Sequence, residues 1–221
     1  MLRAVLFDLD DTLVDQRTAA RVAVLGWAAS LGVADADTAE RWTRISSRHY
    51  ARYQQRALTF TQQRRERVRE FLGITVTDRQ ADLLFAGYLE RYEAGWAVFE
   101  DAVPALRRAR AAGLPVAVLT NGEESQQRRK LDRLGLTDEI DLLVASSMVP
   151  AGKPDPRAFG HAVDLIGVAA GEALMVGDSL PIDVLGARAA GLMAVLLDRE
   201  DAHAGTDVPR VRSLHDLAFT P

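Results

Sequence analysis

The sequence predicts an α/β protein, a parallel sheet with helices on both faces, interrupted after its first strand by an inserted helical bundle. Three observations carry this. The chain opens on a short apolar run, Ala4 to Phe7, of the kind buried on both faces of a parallel sheet. From Phe99 onward, short apolar runs alternate with helical patterns, which is the signature of strand–helix–strand units with right-handed crossovers. Between Asp15 and Gly95 the pattern stays helical.

The elements follow in order. Gln16 to Leu31 reads as a first helix ending near Gly32. Asp37 with Glu40 has the form of a capping box and opens a second helix, which carries Trp42, Ile45, His49 and Tyr53 at helical spacing. On this stripe His49 is expected to be packed rather than reactive. Thr59 with Gln62 and Thr77 with Gln80 are two further capping boxes, each opening a helix. Four helices with short connections predict a small antiparallel bundle. After it come a helix from Val103 to Ala112, a strand from Pro115 to Leu119 closing on Thr120-Asn121-Gly122, and a helix from Glu123 to Leu134. A strand from Leu142 to Ala145 leads into Gly152-Lys153-Pro154-Asp155-Pro156 and a helix through Arg157 to Ile166. Strand Ala173 to Val176 ends in Gly177-Asp178-Ser179, and a helix from Ile182 to Ala190 precedes strand Ala194 to Leu197. An edge strand is expected near Val211. The expected domains are a Rossmann-like core, 1–15 with 97–221, and a four-helix cap, 16–96.

Composition narrows the function. The chain has 221 residues, 48% hydrophobic and 26% charged, which is ordinary globular composition. Without cysteine there is neither a disulfide nor thiolate chemistry. No apolar run approaches the ~20 residues of a membrane span, and no secretory leader is read at the start, so a cytoplasmic protein is expected. The net charge of −4 argues against a general nucleic-acid binder. Charge is segregated: Gln16 to Gly95 holds 13 basic against 9 acidic residues, leaving 14 against 22 elsewhere. A basic module and an acidic core suit an anionic substrate held above a metal site. Only Lys130 and Lys153 are lysines in a chain that otherwise uses Arg.

The polar residues that follow the strands form a set. Asp8, Asp10 and Asp11 crowd the end of the first strand, where carboxylates raise one another's pKa unless a cation is near. As a calcium loop of EF-hand type this stretch fails on spacing, with Leu13 where Gly is needed and Ala19 where Glu is needed. Thr120, Asn121 and Gly122 follow the second strand, Lys153 the third, and Asp178 with Asp183 the fourth. In an open α/β sheet all would reach the ligand-binding edge. A nucleophilic carboxylate, a second carboxylate, a hydroxyl, a cation and a metal-binding acid are the parts that phosphoryl transfer uses.

With these motifs the chain resembles the haloacid dehalogenase-like (HAD) hydrolase superfamily over nearly its whole length. Asp8-Leu9-Asp10-Asp11-Thr12 is similar to its first motif, Thr120 to its second, Lys153-Pro154 to its third, and Gly177-Asp178-Ser179 through Asp183 to its fourth. The position of the insertion resembles the helical cap of the first subclass. The resemblance implies that Asp8 is the nucleophile and forms an aspartyl-phosphate, while Asp10 is general acid and base. It implies Mg²⁺ on Asp8, the Asp10 carbonyl and Asp178, with Asp183 outside the ligand set, holding waters or Lys153. Thr120, with the N–H groups of Asn121 and Gly122, would bind the phosphoryl oxygens, and Thr12 would orient Asp10.

The leading expectation is therefore a Mg²⁺-dependent phosphatase acting on a small phosphorylated metabolite. A sugar-phosphate mutase or a 5′-nucleotidase on the same scaffold is the alternative. A dehalogenase is disfavoured, because carbon–halogen displacement needs no proton-transfer group at Asp10. A non-catalytic phosphometabolite binder would be expected to have lost a motif residue. Arg44, Arg48 and His49 are candidates for substrate choice. Lys130 is expected on an exposed helix face. Neither substrate nor oligomeric state is legible.

Overall fold

The structure is a computed structural model and describes residues 1–220. The chain divides into two compact units, one built from Met1–Asp15 and the segment from Val98 onward, the other from Gln16–Ala97. Among the described residues no helix is long and apolar enough to cross a membrane.

The first unit is organised by a six-stranded sheet. Its strands are β1 (Ala4–Phe7), β2 (Val116–Thr120), β3 (Leu142–Ala145), β4 (Ala173–Gly177), β5 (Met193–Leu197) and β6 (Arg210–Val211). The order is β3-β2-β1-β4-β5-β6, with every neighbouring pair parallel. The chain winds from β1 out to β3 and returns to β4 on the other side of β1, so the order reverses at β1, where such sheets bind ligands. Successive strand residues face opposite sides. Val5, Phe7, Val116, Val118 and Val176 pack on one face with α5 (Ala102–Ala111) and α6 (Glu124–Arg133). Leu6, Ala117, Leu119 and Met175 pack on the other with α7 (Pro156–Ile166) and α8 (Leu185–Ala189). Burial on both faces explains why the strands read as continuous apolar runs rather than alternating ones. The expected helix from Ile182 to Ala190 differs in form, since Leu180–Val184 is a π-helical turn and only α8 is α-helical. Phe7 pairs with both Val118 and Val176. Asp8, Thr120 and Asp178 therefore emerge at one edge of the sheet.

The second unit holds α1 (Gln16–Ser30), α2 (Thr38–Gln54), α3 (Phe60–Leu72) and α4 (Asp78–Ala94). They contact in a ring, α1 on α2, α2 on α3, α3 on α4 and α4 on α1. The core is aromatic: Trp42 lies 4.7 Å from Tyr88 and Trp27 stacks on Phe71 at 5.4 Å, ring centroid to centroid. The boxes at Thr59/Gln62 and Thr77/Gln80 form with both reciprocal bonds. The Asp37/Glu40 box does not, because the Asp37 backbone is not extended as a cap residue must be. Asp35 takes over that work, accepting from the Asp37 N–H at 3.1 Å and from Thr38 Oγ1 at 2.9 Å. His49 is buried and bonded to Glu70 at 2.8 Å. Burial, then Arg52 and Arg48 nearby, lower its pKa. Arg48 also pairs with Glu70.

Candidate active site

The loop after β1 sets the first group. Leu9 O accepts from both Leu13 N and Val14 N at 3.0 Å, and Asp11 takes the left-handed conformation needed to close so tight a turn. Phe7, Leu9, Leu13 and Val14 are fully buried, so apolar packing fixes the loop that carries the acids.

Asp8 lies buried at the end of β1. Lys153 Nζ is 2.6 Å from Asp8 Oδ1 and 2.6 Å from Asp183 Oδ1. Thr12 Oγ1 is 3.3 Å from Asp8 Oδ2 and 3.4 Å from Asp178 Oδ1, and it accepts the Asp178 N–H at 3.1 Å. Thr12 thus joins the first strand's acid to the fourth's. The expectation that it orients Asp10 is corrected, because the tight turn at Asp11 directs its hydroxyl to Asp8 and Asp178. Asp183 Oδ2 accepts from Ser179 N at 3.0 Å, so both oxygens of Asp183 have partners in this group. Gly177 makes room for that carboxylate, since a Cβ there would lie 2.4 Å from it.

The electrostatics are unbalanced. Burial pushes the Asp8 carboxyl well above the ordinary range; Lys153 pulls it down, while Asp183, Asp178 and Asp10 push it up again. Burial opposes the Lys153 charge, but Asp183 and Asp8 overcome this and raise its pKa. One ammonium serves two carboxylates, with Asp178 close by. Asp8, Asp178 and Asp183 each offer a carboxylate oxygen, all within 4.8 Å of one another. An all-oxygen, multiply anionic donor set of this kind fits a hard divalent cation such as Mg²⁺.

A second group forms around Asp10. Its Oδ1 meets the Lys130 ammonium, and its Oδ2 accepts from Gln127 Nε2 at 2.8 Å. The same Gln127 Nε2 donates to Thr120 Oγ1 at 2.9 Å, and the Gly122 N–H donates to Thr120 Oγ1 at 3.2 Å. Thr120 Oγ1 therefore accepts twice, which leaves its own proton to donate. A Cβ on Gly122 would stand 2.4 Å from the Gln127 side chain, so glycine is needed here to seat Gln127. Asn121 clamps the third motif: its Nδ2 donates to Lys153 O at 2.8 Å and its Oδ1 accepts from Lys153 N at 2.7 Å. Ser146 Oγ ties down the loop through Asn121 O at 2.8 Å.

The nine residues selected for catalysis, phosphate binding and metal binding lie in the first unit, and these bonds join them in two groups; Arg44, Arg48 and His49, the candidates for substrate choice, lie on α2 of the second unit. Two residues were missed. Lys130 is 1% exposed and Gln127 2%, both on α6, which corrects the expectation of an exposed lysine. The signal was present: Gln127, Lys130, Leu131 and Leu134 recur at helical spacing and mark the inward face.

The profile of haloacid dehalogenase-like hydrolases matches residues 2–191. The chain belongs to this family. It is 42% identical to a phosphoserine phosphatase of Thermus thermophilus over 144 residues, 63% of this chain and 57% of that one, so the match spans little more than half of that relative. It is 32% identical to a ribulose-1,5-bisphosphate 5-phosphatase of Halopiger xanaduensis over 230 residues, 94% of this chain and 89% of the other. The crystal structure of the HAD-hydrolase YfnB of Bacillus subtilis superposes with a TM-score of 0.82 over 97% of this chain and 96% of that one, at 22% identity, which speaks for the fold alone.

Proposed function

We propose that this HAD-family hydrolase is a Mg²⁺-dependent phosphatase acting on a small phosphorylated metabolite through an aspartyl-phosphate on Asp8. The observation that carries the reading is the placement of Asp8, a buried carboxylate at the sheet's switch point. One of its oxygens is held by Lys153 at 2.6 Å, and Asp178 and Asp183 stand beside it. The phosphatase names of the two relatives support the same reaction class.

In this reading a carboxylate oxygen of Asp8 attacks phosphorus, the bond to the substrate oxygen breaks, and Asp10 gives that oxygen a proton. A water then attacks phosphorus in the acyl phosphate. Asp10 takes its proton, and inorganic phosphate and free Asp8 result. Lys153 neutralises charge on Asp8 and on a phosphoryl oxygen, and the Thr120 hydroxyl donates to another. Asp8 and Asp178, with the Asp10 carbonyl, would hold the cation, and Asp183 would fix Lys153. When bound, Mg²⁺ supplies the positive charge that the four carboxylates and the phosphoryl group together require.

Inorganic phosphate release from a panel of small phosphomonoesters, with Mg²⁺ and with chelator, tests this. Release that needs Mg²⁺ is expected. No release from any ester, together with halide release from 2-haloacids, would replace the reading with carbon–halogen hydrolysis. Transfer of phosphate within a sugar phosphate without net release would replace it with a mutase.

A further inference from the structure

Asp10 is held from one helix. Both of its carboxylate oxygens are engaged by side chains of α6, Oδ1 by Lys130 and Oδ2 by Gln127. These two residues stand three apart, so they share one face of the helix. Both are almost fully buried, which is costly for a lysine unless its charge is met. The Gln127 amide does more than satisfy Asp10. The same nitrogen reaches Thr120 Oγ1, so a continuous bridge runs from the proton-transfer acid to the hydroxyl assigned to the phosphoryl group. Gly122 is shaped around that bridge. A surface lysine in this Arg-rich chain would more simply be Arg. A compact ammonium fits a closed space where the wider guanidinium fork does not.

We infer that Lys130 and Gln127 are positioning residues for Asp10, fixing relative to the phosphoryl-binding Thr120 the carboxyl group that, protonated on an oxygen lone pair neither of them uses, gives its proton to the leaving oxygen. This rests on the phosphatase reading above and adds two residues to it. Neither touches substrate: the bond made and the bond broken stay at phosphorus, and the proton still comes from Asp10. What the pair supplies is placement. Misplacement of a reacting group by about an ångström costs on the order of a hundredfold in rate.

Leaving-group dependence separates positioning of an acid from ordinary structural support. An alkyl alcohol leaves poorly and needs the proton, whereas a dinitrophenolate leaves unaided. The quantity to measure is kcat/KM, which reports events up to departure of the leaving group, on an alkyl phosphate and on 2,4-dinitrophenyl phosphate at saturating Mg²⁺. For Lys130→Met and for Gln127→Met, the alkyl ester is expected to lose at least about tenfold more than the dinitrophenyl ester. Asp10→Asn should show the same bias more strongly, and Lys130→Met placed in the Asp10→Asn background should add no further bias. Equal losses on both esters in both variants, with wild type active on each, would mean that the pair only supports the fold, and the inference fails while the phosphatase reading stands. Wild type inactive on both esters overturns the phosphatase reading, and this inference with it. Should Lys130→Met fail to fold, Gln127→Met decides alone, since it removes the amide bridge and leaves the ion pair in place.

Discussion

Two buried aspartates in the α/β unit have opposite electrostatic fates. Asp101, just before α5, accepts from Arg199 Nη1 at 2.8 Å and Nη2 at 2.9 Å, from Ser213 Oγ at 2.7 Å and from Leu214 N at 2.8 Å. Burial by itself would raise its carboxyl, but these four donors outweigh it and hold the pKa at about 2. At Asp8 burial is the largest influence and raises the carboxyl; the one ammonium it shares with Asp183 does not offset this, and the crowding acids push it higher still. The first charge is fully compensated and acts as a latch. The second is under-compensated, so it favours whatever brings positive charge, a metal ion or an electrophilic phosphorus. Perturbation in the direction of imbalance marks the site.

The sharpest way to break this comparison is to neutralise the under-compensated member. Asp8→Asn keeps the shape but removes the charge proposed to attack phosphorus and one proposed metal ligand. Phosphatase activity is expected to fall to background, while the melting temperature without Mg²⁺ stays at or above that of wild type, because a destabilised charge has gone. Retained turnover would remove Asp8 from its role. A large drop in melting temperature would instead class it with Asp101.

The metal gives the next largest effect. Anything that binds only the folded chain stabilises it by mass action. Millimolar Mg²⁺ is expected to raise the melting temperature of wild type, and to do so much less for Asp8→Asn and for Asp178→Asn. An equal rise in all three proteins would place the cation elsewhere.

How far these two regions could be read from sequence differs for the same reason. The Asp8 group was legible because each member follows a buried apolar run, and the parallel order brings those strand ends to one edge. Lys153 was legible because a Pro-rich loop after a strand carries it. The Asp101 latch was not, because its partners lie 98 and more residues away and no local pattern links them. Lys130 and Gln127 were missed because α6 is dominated by charged and amide side chains, among which an inward-facing lysine does not stand out. The periodicity marked a buried face, but a buried lysine makes sense only once Asp10 is known to stand opposite. Thr12 was misassigned because the resemblance implied only a role beside Asp10, whereas the turn at Asp11 carries its hydroxyl to Asp178, 166 positions away.

Lys153 tests how strictly the under-compensated site depends on the shape of its one ammonium. Its backbone is clamped by Asn121 on both sides and its Nζ bridges Asp8 and Asp183. A guanidinium carries the same charge on a wider, planar fork. Lys153→Arg is expected to lose at least about tenfold in kcat/KM, roughly 1.4 kcal/mol of transition-state stabilisation. Activity equal to wild type would show that charge alone suffices there.

The smallest effect is on stability and belongs to the compensated member. A carboxyl at 3.8 when unfolded and about 2 when folded favours the folded state wherever it is ionised. That contribution is complete above about pH 4 and is lost as the pH falls through about 2; the shift corresponds to about 2 kcal/mol. Asp101→Asn resembles the protonated acid, since it too leaves the Arg199 guanidinium without a counter-charge. Urea unfolding of wild type and Asp101→Asn should therefore differ by about 2 kcal/mol at pH 7, and the two should converge between pH 4 and pH 2. The opposite trend is expected at Asp8, whose raised pKa makes the protonated form the better-tolerated one in the folded chain, so acid relieves that group while it undoes the latch. A wild-type-minus-variant difference at Asp101 that stays flat down to pH 2 would mean that the hydrogen-bond geometry, and not the ionised charge, holds α5 to Arg199 and Leu214. In that case the contrast between the two aspartates is one of packing rather than of charge balance.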